Sequence, residues 1–313
     1  MKNITVIMPI MSGYGTKGWN EMKIVPVSEM LQEARQHGYG VGSFSPRNTY
    51  LIEAVLKAAQ VKNSPVIVQI SANEFNWFQV SSKEFAKRFY ELADQFTVKA
   101  ALHLDHTKDI AIIKEAIDAG FNSVMIDASA QILEDNIRIT KEVVEYAHTK
   151  NVEVEAELGK IGATDKIETD NDQMLYTDPA EAEEFVARTG VDTLAVSIGT
   201  AHGVYPVKNP KIDLERLSEI RNRVSIPLVL HGGSGLPAET VLEAIRIPNG
   251  GVSKINIATD LEQAFLRSLG CERMLNQEIL NYDVKALKKA ALEVQKVVEE
   301  KIEHFVCSAG KLG

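Results

Sequence analysis

The chemically capable side chains of this chain fall in a few short runs, and each run follows an apolar, β-branched stretch. The runs are His103-Leu104-Asp105-His106, Glu155-Ala156-Glu157, Gly199-Thr200-Ala201-His202-Gly203 and His231-Gly232-Gly233-Ser234-Gly235, with Asn256 and Thr259-Asp260 completing the set. Neutral imidazoles from three separate strands, with carboxylates nearby, suit a Zn²⁺ ion that keeps an open coordination position. An open position marks a catalytic metal rather than a structural one. A lone histidine more often satisfies only its local hydrogen bonds. Recurrence at the same end of three different strands favours the metal. His103 lies two residues before Asp105 and points the same way on a strand, so it is expected to orient a ligand or base. His37, His148 and His304 fall on helical patterns and are expected at the solvated surface.

Glycine supplies the second signal. His231-Gly232-Gly233-Ser234-Gly235 and the pair His202-Gly203 allow backbone N–H groups to approach an oxyanion closely. Ser234 and Thr259 add hydroxyl donors. By itself such a run is as often a tight turn as a phosphate cradle, so its place in the fold decides its meaning.

The elements that must carry these groups alternate. Short apolar runs at 39–45, 65–71, 99–105, 123–129, 152–158, 193–199, 227–233 and 254–259 are separated by longer stretches with helical periodicity. Strict alternation predicts a parallel sheet with helices packed outside it. Eight such units predict a single (β/α)8 barrel, a TIM barrel, with an open doubly wound sheet as the competing topology. In a barrel, all the runs above lie at the C-terminal mouth, where catalytic groups collect, and the loops after strands seven and eight commonly hold phosphate. The reading is one domain over 1–313, with an N-terminal extension at 1–26 and a C-terminal helical segment at 270–313.

Composition narrows the function classes. The 313 residues are 45% hydrophobic and 25% charged, with a formal net charge of −9. That balance argues against nucleic acid or an anionic membrane as partner, while a small phosphorylated ligand held by backbone N–H groups remains compatible with it. The two cysteines, Cys271 and Cys307, form no CxxC pair and read as free thiols. No run approaches the ~18 apolar residues of a membrane span. The chain is expected to be soluble and cytoplasmic.

Five motifs in order, His103-Leu-Asp-His106, Glu155-Ala-Glu-Leu-Gly159, Gly199-Thr-Ala-His-Gly203, His231-Gly-Gly-Ser-Gly235 and Asn256-Ile-Ala-Thr-Asp260, resemble those of the class II ketose-bisphosphate aldolases. That family includes fructose- and tagatose-bisphosphate aldolases. The resemblance runs from about Met22 to Lys311. It implies a zinc-dependent lyase in which His106, His202 and His231 bind the metal and Glu157 is an alternate or second-site ligand. Asp105 would be the acid–base group acting on the C4 hydroxyl. Gly203, Gly232, Ser234, Ala258 and Thr259 would surround the donor phosphate, Asn256 would contact the dihydroxyacetone portion, and Ser45 and Ser71 would join the substrate site. A monovalent cation, Na⁺ or K⁺, near that phosphate and assembly as a homodimer or homotetramer are also implied.

Several positions depart from the family pattern. Asp165 stands where a loop glutamate is expected, in a polar segment of lid-like composition, and is the candidate for the second acid. Ser45 replaces a frequent asparagine, and Ala258 is closer to the tagatose type. Lys285 replaces an arginine that reaches the distal phosphate, which predicts a less stringent distal site or a different acceptor. A Schiff-base aldolase would need a lysine inside a barrel strand, and Lys254 is read as opening strand eight at the wrong end. A metal-dependent hydrolase usually carries HxH on strand one, which 39–45 lacks. A subunit that only stabilises a partner lyase is disfavoured by the intact Asp105, His106, His202 and His231.

Overall fold

A computed structural model describes residues 23–163, 176–203 and 212–312. Of the 1–26 extension, 1–22 lie outside the described residues, as does Asp165.

Eight parallel strands close into a barrel: β1 Val41–Phe44, β2 Val66–Ser71, β3 Lys99–Asp105, β4 Ser123–Ile126, β5 Glu153–Leu158, β6 Thr193–Val196, β7 Leu228–Leu230 and β8 Val252–Ile257. Each strand pairs with its sequence neighbours, β8 pairs with β1, and pairing between β3 and β4 completes the ring. The open doubly wound alternative is thereby excluded. Helices follow the strands and cover the outside, and the outward strand residues pack with them into one apolar shell. The C-terminal helix Val284–Glu300 lies against the helices Ile52–Val61 and Thr259–Leu269, joining the outer layer.

The strand period of two divides the interior into layers. At the N-terminal end Val41, Ile67 and Ala101 pack with Val27, Met30, Leu31 and Ala34, so the helix Val27–His37 plugs the bottom. A short strand, Lys23–Ile24, pairs beside Lys99 and Ala100 of β3. Two residues further along each strand the interior turns polar, with Ser43, Gln69, His103, Glu155 and Lys254 all buried. The next inward positions, Ser45, Ser71, Asp105, Glu157 and Asn256, rim the mouth. One element not expected from the sequence is a small parallel pairing of Gly162–Ala163 with Ala201–His202 above the mouth. No helix among the described residues is long and apolar enough to cross a membrane.

Candidate active site

His106 follows directly on β3 and His231 on β7, whereas His202 is carried by the short strand above β6 rather than by β6 itself. The three rings converge. His231 Nδ1 lies 2.7 Å from His106 Nε2, which lies 3.1 Å from His202 Nε2. Ring nitrogens about 2.0–2.1 Å from a common Zn²⁺ would stand roughly 3.3 Å apart in tetrahedral geometry, so the cluster is near the size required. Asp127, just past β4, lies 3.2 Å from His106 Nδ1 through Oδ2. Its Oδ1 accepts from the Ser129 hydroxyl at 2.7 Å.

The electrostatics of these side chains call for a cation. Burial works against a charge on His106, but the carboxylates of Asp105, Asp127 and Glu157 outweigh it and raise this imidazole to about 10. Burial and then the His106 charge push His202 and His231 well below the ordinary histidine range, so both are neutral donors. Burial and the nearby Asp127 carboxylate raise Glu157 to about 8. Its Oε2 lies 3.6 Å from His231 Nδ1, is buried, and has no hydrogen-bond partner among the described residues. An orphaned carboxylate oxygen beside three convergent imidazoles fits a divalent metal. His106, Asp127 and Glu157 form a second group whose ligand atoms all lie within 4.8 Å of one another.

Beside the cluster, one pocket is lined by Gln69, Asp105, His202, Gly203, Gly232, Ser234, Asn256, Ala258 and Thr259. Asp105 is held at both oxygens, by Gln69 Nε2 at 2.8 Å and by Asn256 Nδ2 at 3.0 Å. Burial raises its carboxyl above the ordinary range against the pull of His106 and Lys254. Asn256 Oδ1 is buried without a partner among the described residues and is placed to accept from a ligand hydroxyl. Gly232 takes φ +66°, and a Cβ there would meet the Ala201 carbonyl oxygen at 2.3 Å. Only glycine fits this close crossing of the two loops. Ser234 Oγ accepts from the N–H groups of Ala258 and Asp260 at 3.1 and 3.3 Å, so its own proton remains to be donated. These contacts sit at the N-terminus of helix Thr259–Leu269, where backbone donors and the helix dipole favour an anion.

The structure thus brings together Asp105, His106, His202, His231 and Glu157 with Gly203, Gly232, Ser234, Asn256, Ala258 and Thr259. Ser45 and Ser71 stand at the rim of the mouth outside the lining of that pocket, each bonded to Glu74. The Ser45 hydroxyl donates to both oxygens of Glu74 at 2.9 and 2.8 Å, and Ser71 caps helix Ala72–Phe78 by accepting from Glu74 N. Glu74 is paired with Arg47 at 3.0 Å, forming a buried wall on the β1–β2 side of the mouth. Lys285 is exposed at the start of the C-terminal helix. His37, His148 and His304 are exposed, as expected.

One placement needs correction. Lys254 does not open its strand from outside: β8 begins at Val252, and Lys254 is fully buried inside the barrel, bonded to Glu155 at 2.7 Å and to His103 at 3.1 Å. Asp127, Gln69, Glu74 and this lysine were missed by sequence reasoning. The alternation rule could have found two of them, since Gln69 and Lys254 lie two residues before Ser71 and Asn256 and share their inward face.

The chain matches the family described as fructose-bisphosphate aldolase class-II over residues 25–311. It is 39% identical over 288 residues to a fructose-bisphosphate aldolase of Staphylococcus epidermidis, an alignment covering 91% of this chain and 98% of that protein. Its fold is similar to the crystal structure of the YdjI aldolase from Escherichia coli K12, with TM-score 0.79, 34% identity, and 93% and 100% of the two chains covered. The fructose-bisphosphate aldolase of Campylobacter jejuni is also similar, with TM-score 0.76, 25% identity, and 93% and 98% covered.

Proposed function

The chain belongs to the class II fructose-bisphosphate aldolase family and is an aldolase that cleaves a phosphorylated ketose, and from that premise we propose how its own residues divide the work. His106, His202 and His231 hold a catalytic Zn²⁺, with Glu157 as an alternate or second-site ligand. When bound, zinc supplies a Lewis acid that stabilises negative charge developing on substrate oxygens. Gly203, Gly232, Ser234, Ala258 and Thr259 hold the donor phosphate at the head of helix Thr259–Leu269, with a monovalent cation, Na⁺ or K⁺, beside it. Asn256 fixes the dihydroxyacetone portion through its open carbonyl oxygen. Asp105 takes the proton of the C4 hydroxyl as the C3–C4 bond breaks, and burial, which raises its carboxyl above the ordinary range, makes it a stronger proton acceptor. Asp165, outside the described residues, returns a proton to C3 and completes dihydroxyacetone phosphate.

The substrate we favour is a ketose 1,6-bisphosphate of the tagatose or fructose type, with Ala258 leaning towards tagatose. The distal phosphate site is not stringent: among the described residues Ser45 and Ser71 are tied to Glu74, and the cation at the family's arginine position is Lys285, whose exposed place suits a neighbouring copy. A homodimer or homotetramer in the cytoplasm fits this arrangement.

The observation that carries the reading is the convergence of three imidazoles beside a buried Asp105 and a glycine-lined anion pocket. Tagatose and fructose bisphosphates should be assayed beside ketose 1-monophosphates, with zinc present and after chelation. Metal-dependent release of dihydroxyacetone phosphate is expected. Turnover unaffected by chelation would refute the metal assignment, and a strong preference for fructose bisphosphate would refute the relaxed distal site.

A further inference from the structure

Beneath the histidine cluster, the barrel interior holds a series of buried polar contacts that neither metal ligation nor proton transfer requires. Glu155 is fully buried, with Oε1 2.9 Å from His231 Nε2 and Oε2 accepting from Lys254 Nζ at 2.7 Å. Lys254 Nζ also donates to His103 Nε2 at 3.1 Å, and His103 Nδ1 lies 2.8 Å from Ser123 Oγ. Donor and acceptor roles along this series are forced. An ammonium only donates, so His103 accepts at Nε2 and carries its proton on Nδ1, toward Ser123. A carboxylate paired with an ammonium accepts, so His231 carries its proton on Nε2 and turns the lone pair of Nδ1 to the cluster. Asp127 treats His106 in the same way with the two ring nitrogens exchanged.

His103, Asp105 and Glu155 bring ligand atoms close enough to hold a cation of their own. The Lys254 ammonium already lies between His103 and Glu155. It ties β3, β5 and β8 together one layer below the positions at which those strands deliver Asp105, Glu157 and Asn256.

We propose that Glu155 and Lys254 are positioning residues of the metal centre: Lys254 clamps one carboxylate oxygen of Glu155 so that the other holds His231 in the tautomer and orientation that present Nδ1 to zinc. A carboxylate held at both oxygens cannot swing, and a ligand ring bonded to it cannot flip. Outer partners of this kind typically contribute 10–100-fold in metal affinity. The inference rests on reading His106, His202 and His231 as zinc ligands.

The test is a chelator-competition titration of zinc on the full chain, with the visible spectrum of the Co²⁺-loaded form as a report on ligand geometry. The double variant Glu155→Leu with Lys254→Met removes both charges, a replacement that usually leaves folding intact. Its metal-free melting temperature should stay near the parent's, while the zinc Kd rises by about 10–100-fold and the Co²⁺ bands shift. A folded double variant that binds zinc within about threefold of the parent, with unchanged bands, would overturn the proposal, since the pair would then be filling space only. Should the double variant not fold, Glu155→Gln keeps the shape and weakens the acceptor. Roughly tenfold weaker zinc binding supports the proposal, and parent-like binding overturns it. A parent chain that binds no zinc would instead sink the ligand reading itself, a different result from either variant's.

Discussion

Asp105 receives amide hydrogen bonds on both oxygens, from Gln69 and Asn256, so its carboxylate is aimed before any ligand arrives. Asp105→Asn keeps the shape and removes the proton acceptor. The expected result is a fall of roughly 10²–10⁴-fold in kcat in a coupled cleavage assay. Zinc content measured by atomic absorption should stay at the parent's level, and loss of zinc would mean that Asp105 serves the metal rather than the proton. Gly232 makes a different demand, because its φ of +66° and the 2.3 Å approach of a Cβ to Ala201 O leave no room for a side chain. Gly232→Ala should cost about 1–3 kcal/mol of stability and raise KM for the phosphorylated substrate. An unchanged KM would remove this glycine from the phosphate site.

Among the elements, helix Ser82–Glu91 begins with a reciprocal cap in which Ser81 accepts from Glu84 N at 3.2 Å and Glu84 accepts from Ser81 N at 2.8 Å. Ser81 is exposed and is not among the residues lining the pocket or the histidine cluster, so Ser81→Ala should cost about 1 kcal/mol and lower Tm by roughly 2–4 °C, with kcat unaltered. Calorimetry and the cleavage assay together would check it. Glu153 joins the start of β5 to the plug helix Val27–His37 by accepting from Ser28 N at 2.9 Å and from its hydroxyl. Burial raises its carboxyl above the usual range, more than those hydrogen bonds lower it. A raised folded-state value means that its contribution to stability is complete in acid and declines as pH rises through that value. Glu153→Gln, which cannot ionise, should therefore gain on the parent with rising pH. Melting curves should show the largest gap near neutrality and almost none near pH 4, where the unfolded carboxyl is itself half protonated at about 4.3. A gap that is constant with pH would contradict the assignment.

For the whole molecule, the barrel closes through β3 and β4, and the C-terminal helix packs on helices from both the first and the last strand–helix units. Closure couples every strand to two neighbours, so the segment from 270 onward is expected to unfold with the rest as one cooperative unit. Urea unfolding should give a single transition, superimposable by far-UV circular dichroism and by loss of cleavage activity. An early, separate loss of helical signal would make the C-terminal segment a unit of its own. Leu280 and Val284 are 83% and 63% exposed beside Lys285, and sedimentation of the chain would show whether a second copy assembles with it.

The sequence by itself determined the alternation of strand and helix, the number of units and the mouth on which the chemistry gathers. These follow from local periodicity and from which residues end each apolar run, both short-range properties. It also identified the family, because five ordered motifs span nearly the whole chain. Only the tertiary structure decided that Ser45 and Ser71 turn to Glu74, that Asp127 backs His106, and that Lys254 lies buried against Glu155 and His103. Those contacts join residues up to 151 positions apart and depend on the stagger between strands. No local pattern encodes that stagger. It is settled when eight strands must close into one ring and each buried polar group must find a partner inside it.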